Sequence, residues 1–428
     1  MTSLKIVLAA IRKRGFRVSA QHILDALLGA LLSHSRMVLK KCASFPLCAS
    51  RASRNWFPRK QRQAFPALPV LLCLFAALAG CRGVSLNPDP SADIAPPQLF
   101  MFSPLPAHGP AVGITAVRVD LGRRLYYDTH LSVNNSISCN DCHQLAKYGV
   151  DPGEAVSDGH NKMPGTRNSP TVYNAGLQFA QFWDGRAATL AAQASGPMMN
   201  PVEMGMPGPG AVLAYIHSNP AYLKEFRQAY PDVKDPVVME NVTDAIATFE
   251  EGLLTPSRWD EYLEGNTSAL SDHEKEGLRV FLRSGCAACH AGTAMGGNSY
   301  AQLGAYRNWP DQKSDPGRYD VTRLPRDRMY FKVPVLRNVA ETGPYFHNGQ
   351  VKTLDEAVRL MGQYQTGERL SSDEVSSIVS FLHALTGNIP EQYIQPPSAE
   401  PPSKAATIHH RQQLQANRQT QSTSTEGE

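Results

Sequence analysis

Apolar side chains recur at helical spacing in several stretches, separated by long polar segments that contain Gly and Pro. Residues 115–128 carry Val117, Leu121 and Leu125, and residues 240–254 carry Val242, Ile246, Phe249 and Leu253. Both have the three-to-four-residue period of a helix with one buried face. Ser271 with Glu274 makes a capping box, leading into Leu278, Phe281 and Leu282. Ser371 with Glu374 does the same for Val375, Ile378, Val379 and Leu382, with Gly387 as the expected stop. Strand alternation is nowhere sustained. The pattern predicts an all-α body with long loops.

The ends of the chain have a different character. An uncharged, mostly apolar run spans 67–80, preceded by Arg59, Lys60 and Arg62. It falls short of the about 20 residues a membrane-spanning helix needs and has the form of an export signal with small residues at its cut site. Leu78-Ala79-Gly80-Cys81 resembles a bacterial lipobox. That implies cleavage before Cys81 and a lipid on its sulfur, holding the protein to a membrane surface without a spanning helix. An ordinary signal peptide that happens to contain a cysteine is the alternative. Arg82, rather than Asp, favours the outer membrane by analogy with lipoproteins. Residues 1–81 are therefore expected to be a leader, with Met37 a candidate later start. Residues 82–110, with seven prolines from Val84 onward, are expected to be an extended tether, and 391–428, rich in Gln, Ser, Thr and Pro, a disordered tail.

Charge follows the same division. The formal net charge is +4, but residues 1–81 hold 13 Lys/Arg and one acid, leaving the remainder at −8. The basic balance belongs to the leader, so no nucleic-acid surface is implied for the body. Beyond the leader the cysteines are Cys139, Cys142, Cys286 and Cys289, too few for a general disulfide framework.

Those four cysteines carry the chemistry. Cys139-Asn-Asp-Cys142-His143 and Cys286-Ala-Ala-Cys289-His290 are both CxxCH. Within one helical turn, positions i, i+3 and i+4 share a face, so two thiols can bond the vinyl groups of a haem while the adjacent imidazole reaches its iron. From the Cys and His content, chance would supply about 0.005 such motifs. A thioredoxin-like disulfide or half of a zinc site would not need a histidine after both pairs. Two covalently bound c-type haems are expected. The second ligand of each iron then separates an electron carrier from an enzyme.

Beyond these motifs the chain resembles the bacterial di-haem cytochrome c peroxidases, a family that includes the methylamine-utilisation di-haem enzymes. The resemblance covers about 115–390 and lies in Leu131-Ser132 before SCNDCH, RNSPTVYN (167–174), FWDGR (182–186), Pro201-Val-Glu-Met204, LLTPSRWDEYLEG (253–265), PYFHNG (344–349) and LMG (360–362). It implies two cytochrome-c-like helical haem domains, an N-terminal peroxidatic one over 111–262 and a C-terminal electron-accepting one over 263–390. It implies that His143 holds the low-potential haem, with His160 as the displaceable distal ligand, and that His290 and Met361 hold the high-potential haem. Glu203 would be the acid/base of the peroxide pocket, Trp183 would bridge the haems, and Asn168, Thr342 and Pro344 would bind one calcium ion between the domains. His/Met ligation fits a high potential, because thioether is a soft, weak donor that favours the reduced iron.

The expected function is periplasmic reduction of hydrogen peroxide to water. The expected electron donor is a small c-type cytochrome or cupredoxin, and a homodimer is implied by the resemblance alone. Reduction of the first haem is expected to loosen the His160 loop, with Gly153, Gly159 and Gly165 as hinges. Each residue has a plainer role open to it: a loop histidine at His160, core packing at Met361 and Trp183, a helix cap at Glu203. His130, His217 and His347 are rival sixth ligands. Two other functions remain in view: a methylamine-utilisation-type oxidase acting on a partner protein, against which Met361 stands where those enzymes have tyrosine, and a non-catalytic di-haem electron carrier.

Overall fold

The computed structural model describes residues 94, 96–107 and 116–397. The leader with Cys81, most of the expected tether and the tail from 398 onward lie outside the described residues. The described chain is mostly helical. Its longer helices are α1 (Ala116–Tyr127), α2 (Leu190–Met199), α3 (Pro209–Ser218), α4 (Pro220–Ala229), α5 (Met239–Glu251), α6 (Arg258–Leu263), α7 (Asp272–Arg283), α8 (Leu354–Leu360) and α9 (Ser372–His383). Ser271 and Ser371 cap α7 and α9 through the capping boxes with Glu274 and Glu374. Among the described residues no helix is long and apolar enough to cross a membrane.

Two apolar clusters organise the body. The first joins Leu121 and Leu125 of α1, Met198 of α2, Val212 and Ile216 of α3, Tyr222 and Phe226 of α4, and Val242, Ile246 and Phe249 of α5. The second joins Trp259 and Tyr262 of α6, Leu278 and Phe281 of α7, Leu354 and Val358 of α8, and Val375, Ile378 and Phe381 of α9. Each contains a helix pair in backbone contact. A Cβ on Gly122 of α1 would lie 1.8 Å from the carbonyl oxygen of Ala245 on α5, and one on Gly277 of α7 would lie 1.9 Å from that of Ser377 on α9. Only glycine allows so close a crossing. Gly122→Ala should therefore destabilise the protein by about 1–3 kcal/mol, the range for overpacking a tight core. Chemical denaturation of the purified protein checks it, and an unchanged midpoint would contradict the close crossing.

The structure corrects the sequence reading in four places. A small antiparallel sheet pairs β1 (Tyr300–Gln302) with β2 (Tyr330–Lys332), Ala301 opposite Phe331, so the body is not purely helical. The segment 96–107, expected to be extended, instead packs on the second cluster. There Phe102 sits edge-to-face on Trp259 at 5.4 Å, and the Leu105 N–H donates to Asp260 Oδ1 at 2.7 Å. The first residues beyond 390 also pack rather than trail away: Tyr393 stacks on Phe249 at 5.2 Å, and Ile394 is buried in the first cluster. Gly387 does not stop α9, which ends at His383. Its Cα instead lies against the Thr255 carbonyl. Both ends of the described body are thus strapped across a cluster built mainly by the other half of the sequence.

Candidate functional site

The first CxxCH motif is one helical turn, Cys139–Cys142, with Ser138 at its N-cap donating its N–H and hydroxyl to the Asp141 carboxylate. His143 closes the turn, its N–H donating to the Cys139 carbonyl at 3.0 Å. Tyr126 of α1 donates its hydroxyl to the His143 carbonyl at 2.8 Å, and His143 Nδ1 lies 3.3 Å from the Gly149 carbonyl. Engagement of Nδ1 leaves Nε2 as the nitrogen for a metal, the usual way a ligating imidazole is oriented. The second motif forms a tighter turn, Cys286–Ala288, with His290 N–H on the Cys286 carbonyl at 3.0 Å. Its Nδ1 is buried without a protein partner, and the Met295 and Pro334 backbones bear on the ring.

All four thiols are free. Desolvation raises each of them, Cys142 and Cys286 to about 11. Thiolates are disfavoured here, which weighs against a reactive redox pair. Desolvation also lowers both imidazoles, His290 to about 4, so each stays neutral and able to ligate. Cys286, Cys289, His290 and Met361 line one mostly apolar cavity of about 680 Å³. That volume and lining suit a large planar cofactor. The residues present fit a haem.

Met361 enters this cavity from a turn that the sequence pattern did not show. Helix α8 ends at Leu360 and continues as a π-helical turn, Met361–Thr366, of the kind that recurs at functional sites. Trp183 lines the same cavity and packs in the small cluster that includes Met361, Phe331 and Trp309. Its Nε1–H donates to the Asn168 carbonyl at 2.9 Å, and its carbonyl accepts from Lys332 N–H at 2.7 Å. Asn168, Thr342 and Pro344 also border this cavity, and Asn168 N–H donates to the His347 carbonyl. The side-chain amide of Asn168 donates to the Glu154 and Ala155 carbonyls.

Glu203 and His160 are brought together beyond the end of α2. Asn200 caps that helix, accepts the Val202 N–H and donates its side-chain amide to Glu203 Oε1 at 2.9 Å. The loop of His160 docks there, its N–H donating to the Glu203 carbonyl at 2.8 Å. His160 Nε2 sits 3.0 Å from the Pro201 carbonyl, while Nδ1 is buried without a partner. In this arrangement the imidazole is held on the 200–205 turn. Of the expected hinges, Gly159 is clamped against the Val202 carbonyl, whereas Gly153 has open space around it. Desolvation raises the Glu203 carboxyl, opposed by Arg186 and by Asn200, and its charge is felt at Cys142. A half-buried carboxyl able to exchange protons thus stands beside the first motif.

A model of the di-haem cytochrome c peroxidase family matches residues 116–268. Cytochrome c551 peroxidase of Nitrosomonas europaea is 44% identical over 273 residues, 64% of this chain and 80% of that protein. Its counterpart from Pseudomonas aeruginosa is 42% identical over 310 residues, 70% of this chain and 89% of that protein. The chain belongs to the di-haem cytochrome c peroxidase family. Membership makes it an oxidoreductase and implies two c-type haems, in keeping with the two motifs. The fold agrees with a crystal structure of a MauG-like protein associated with microbial copper homeostasis, at TM-score 0.61 and 26% identity over 68% of this chain and 98% of that one.

Lys332 and Glu250 are among the buried ionisable residues of this peroxidase-family chain that escaped the sequence reading. Lys332 on β2 lines the cavity, bonds Gln178 through its Nζ, and is lowered by burial to about 8. Glu250 on α5 is 5% exposed, and its Oε2 has no protein partner. A signal for Glu250 was present, because it follows Ile246 by four residues and so falls on the core stripe of its helix.

Proposed function

We propose that the chain is a peroxidase that reduces hydrogen peroxide to two waters, taking two electrons from a small c-type cytochrome or cupredoxin and two protons from solvent. The observation that carries this reading is the pairing of Glu203 with the His160 loop beside Cys139–His143. A carboxyl held by Asn200 and raised by burial can move a proton between the two peroxide oxygens. His143 with Cys139 and Cys142 would hold the peroxidatic haem, and His290 and Met361 with Cys286 and Cys289 the electron-accepting one, in domains 111–262 and 263–390. The haems, when bound, supply the redox chemistry. Trp183 would bridge them, a role supported by its bond to Asn168 and its packing beside Met361.

His160 is the gate in this reading. Its N–H holds the carbonyl of the same Glu203 whose side chain does the proton work, so movement of one loop alters both groups. Calcium is proposed near Asn168, Thr342 and Pro344. Among the described residues no cluster of three or more His, Cys, Asp or Glu could hold a metal, so such a site would rely on amide and carbonyl oxygens. Periplasmic location, a lipid on Cys81 and a homodimer belong to the same proposal.

The test is peroxide-dependent oxidation of a reduced donor by the haem-loaded, half-reduced protein. No turnover under those conditions would leave a carrier. Met361→His should lower the midpoint of the His290 haem, by on the order of 0.1 V within the roughly 0.8 V that axial ligands command, and slow electron entry. An unchanged midpoint would show that Met361 is packing rather than a ligand.

A further inference from the structure

We propose that Glu250 is a redox-linked proton site of the haem carried by Cys139 and Cys142: when that haem gains an electron, the Glu250 carboxylate binds one proton. The electron comes from the donor and the proton from solvent. The charge of the site is the same before and after, and reoxidation releases the proton. This rests on the haem-binding part of the reading above and not on peroxide as substrate.

The geometry is that of an acid inside a core. Glu250 lies on the buried face of α5, among residues of the first cluster, against which Cys139 also packs. Its charge is felt by Cys139 and by Tyr126, the residue that donates to the His143 carbonyl. Among the described residues no cation opposes it. Of the elements packed on α5, α2 and Ala175–Leu177 contain no titratable side chain. From α1, Tyr126 faces it, and Arg123 is taken by Asp120 and the Tyr393 carbonyl. Tyr393 itself donates to the Phe249 carbonyl, and on α5 Glu251 and Asp244 feel each other. Burial alone pushes the Glu250 carboxyl up to about 8, into the range where a change of one unit charge nearby decides its protonation. Glu250 is buried, so its coupling to a neighbouring charge is weakly screened.

The test is a spectroelectrochemical titration of the haem-loaded protein from about pH 6 to pH 9, wild type against Glu250→Gln. In the wild type the midpoint of the His143 haem should fall with rising pH, with a slope approaching about 59 mV per pH unit, the one-electron equivalent of a tenfold change in proton activity. In Glu250→Gln it should stay near the wild type's acid-side value across the range. A variant that keeps the wild-type slope overturns the proposal, as does a flat wild type. Ligand exchange at His160 is common to both proteins and cancels in the comparison. Redox-difference infrared spectra of the wild type give a second arm that needs no variant. Reduction at alkaline pH should bring up the carbonyl band of a newly protonated carboxylic acid, and its absence overturns the proposal. Peroxide turnover is assayed separately, so loss of the peroxidase reading and loss of the proton site are distinguishable. A protein carrying no haem on Cys139 and Cys142 overturns both.

Discussion

Glu203→Gln is expected to lower peroxide-dependent kcat by about 10²–10⁴-fold, the range for removing a positioned general acid–base, with haem content unchanged. The variant isolates proton transfer. Glutamine still offers Oε1 to the Asn200 amide, and the bond from His160 runs to the backbone carbonyl, which the substitution leaves in place. The pH profile sharpens the test. The raised carboxyl must be ionised to accept the first proton, so wild-type activity should fall as pH drops through a value above the ordinary carboxylate range. Glu203→Gln should lose that acid limb. Arg186 opposes the rise through its charge, so Arg186→Gln should move the limb to higher pH. Activity within tenfold of wild type, or an acid limb that survives in Glu203→Gln, would remove Glu203 from the chemistry.

What the sequence made legible was local. Capping boxes at Ser271 and Ser371, the stripes of α1 and α5 and the two CxxCH motifs all announce themselves within one or two turns, and the structure places helices where those signals lie. Helices α3 and α4 open on Pro209 and Pro220, a residue type that breaks a helix interior. Both instead occupy the first turn, where the missing N–H is harmless. Contacts distant in sequence were out of reach altogether. Nothing near Phe102 indicates that it meets Trp259, and nothing near Ile394 indicates the first cluster. The site divides the same way. His143 and His290 follow from spacing, whereas the seat of His160 on Pro201, the bond between Asn200 and Glu203 and the π-helical turn under Met361 depend on how loops fold onto helices.

Arg337→Met tests the strap between the ends of the second cluster, and it should cost about 3–5 kcal/mol, the range for orphaning one member of a buried ion pair. Arg337 is fully buried. Its guanidinium makes two bonds to the Asp260 carboxylate, at 2.7 and 2.8 Å, and donates through Nε to the Thr293 carbonyl at 2.6 Å. The same carboxylate caps α6 through Ser257 and receives the Leu105 N–H, so one anion ties together α6, the N-terminal segment and the approach to the second haem motif. Burial raises the Asp260 carboxyl, but the bonds and charge of Arg337, together with the Leu105 and Ser257 N–H groups, outweigh it and hold the group below its ordinary value. A carboxyl lowered on folding stabilises the protein above its unfolded pKa of about 3.9 and loses that contribution as pH falls through the folded value. In Arg337→Met the sign reverses: Asp260 is left buried without its cation, is raised on folding, and destabilises the protein increasingly as pH rises. The deficit should therefore be greatest at neutral pH, with a fall in Tm on the order of 10 °C, and should shrink as pH falls toward 4. Asp260→Asn in the Arg337→Met background should recover part of it, because the buried charge is gone. A deficit that stays constant between pH 7 and pH 4.5, or a double variant no more stable than the single, would mean that Arg337 acts by packing alone.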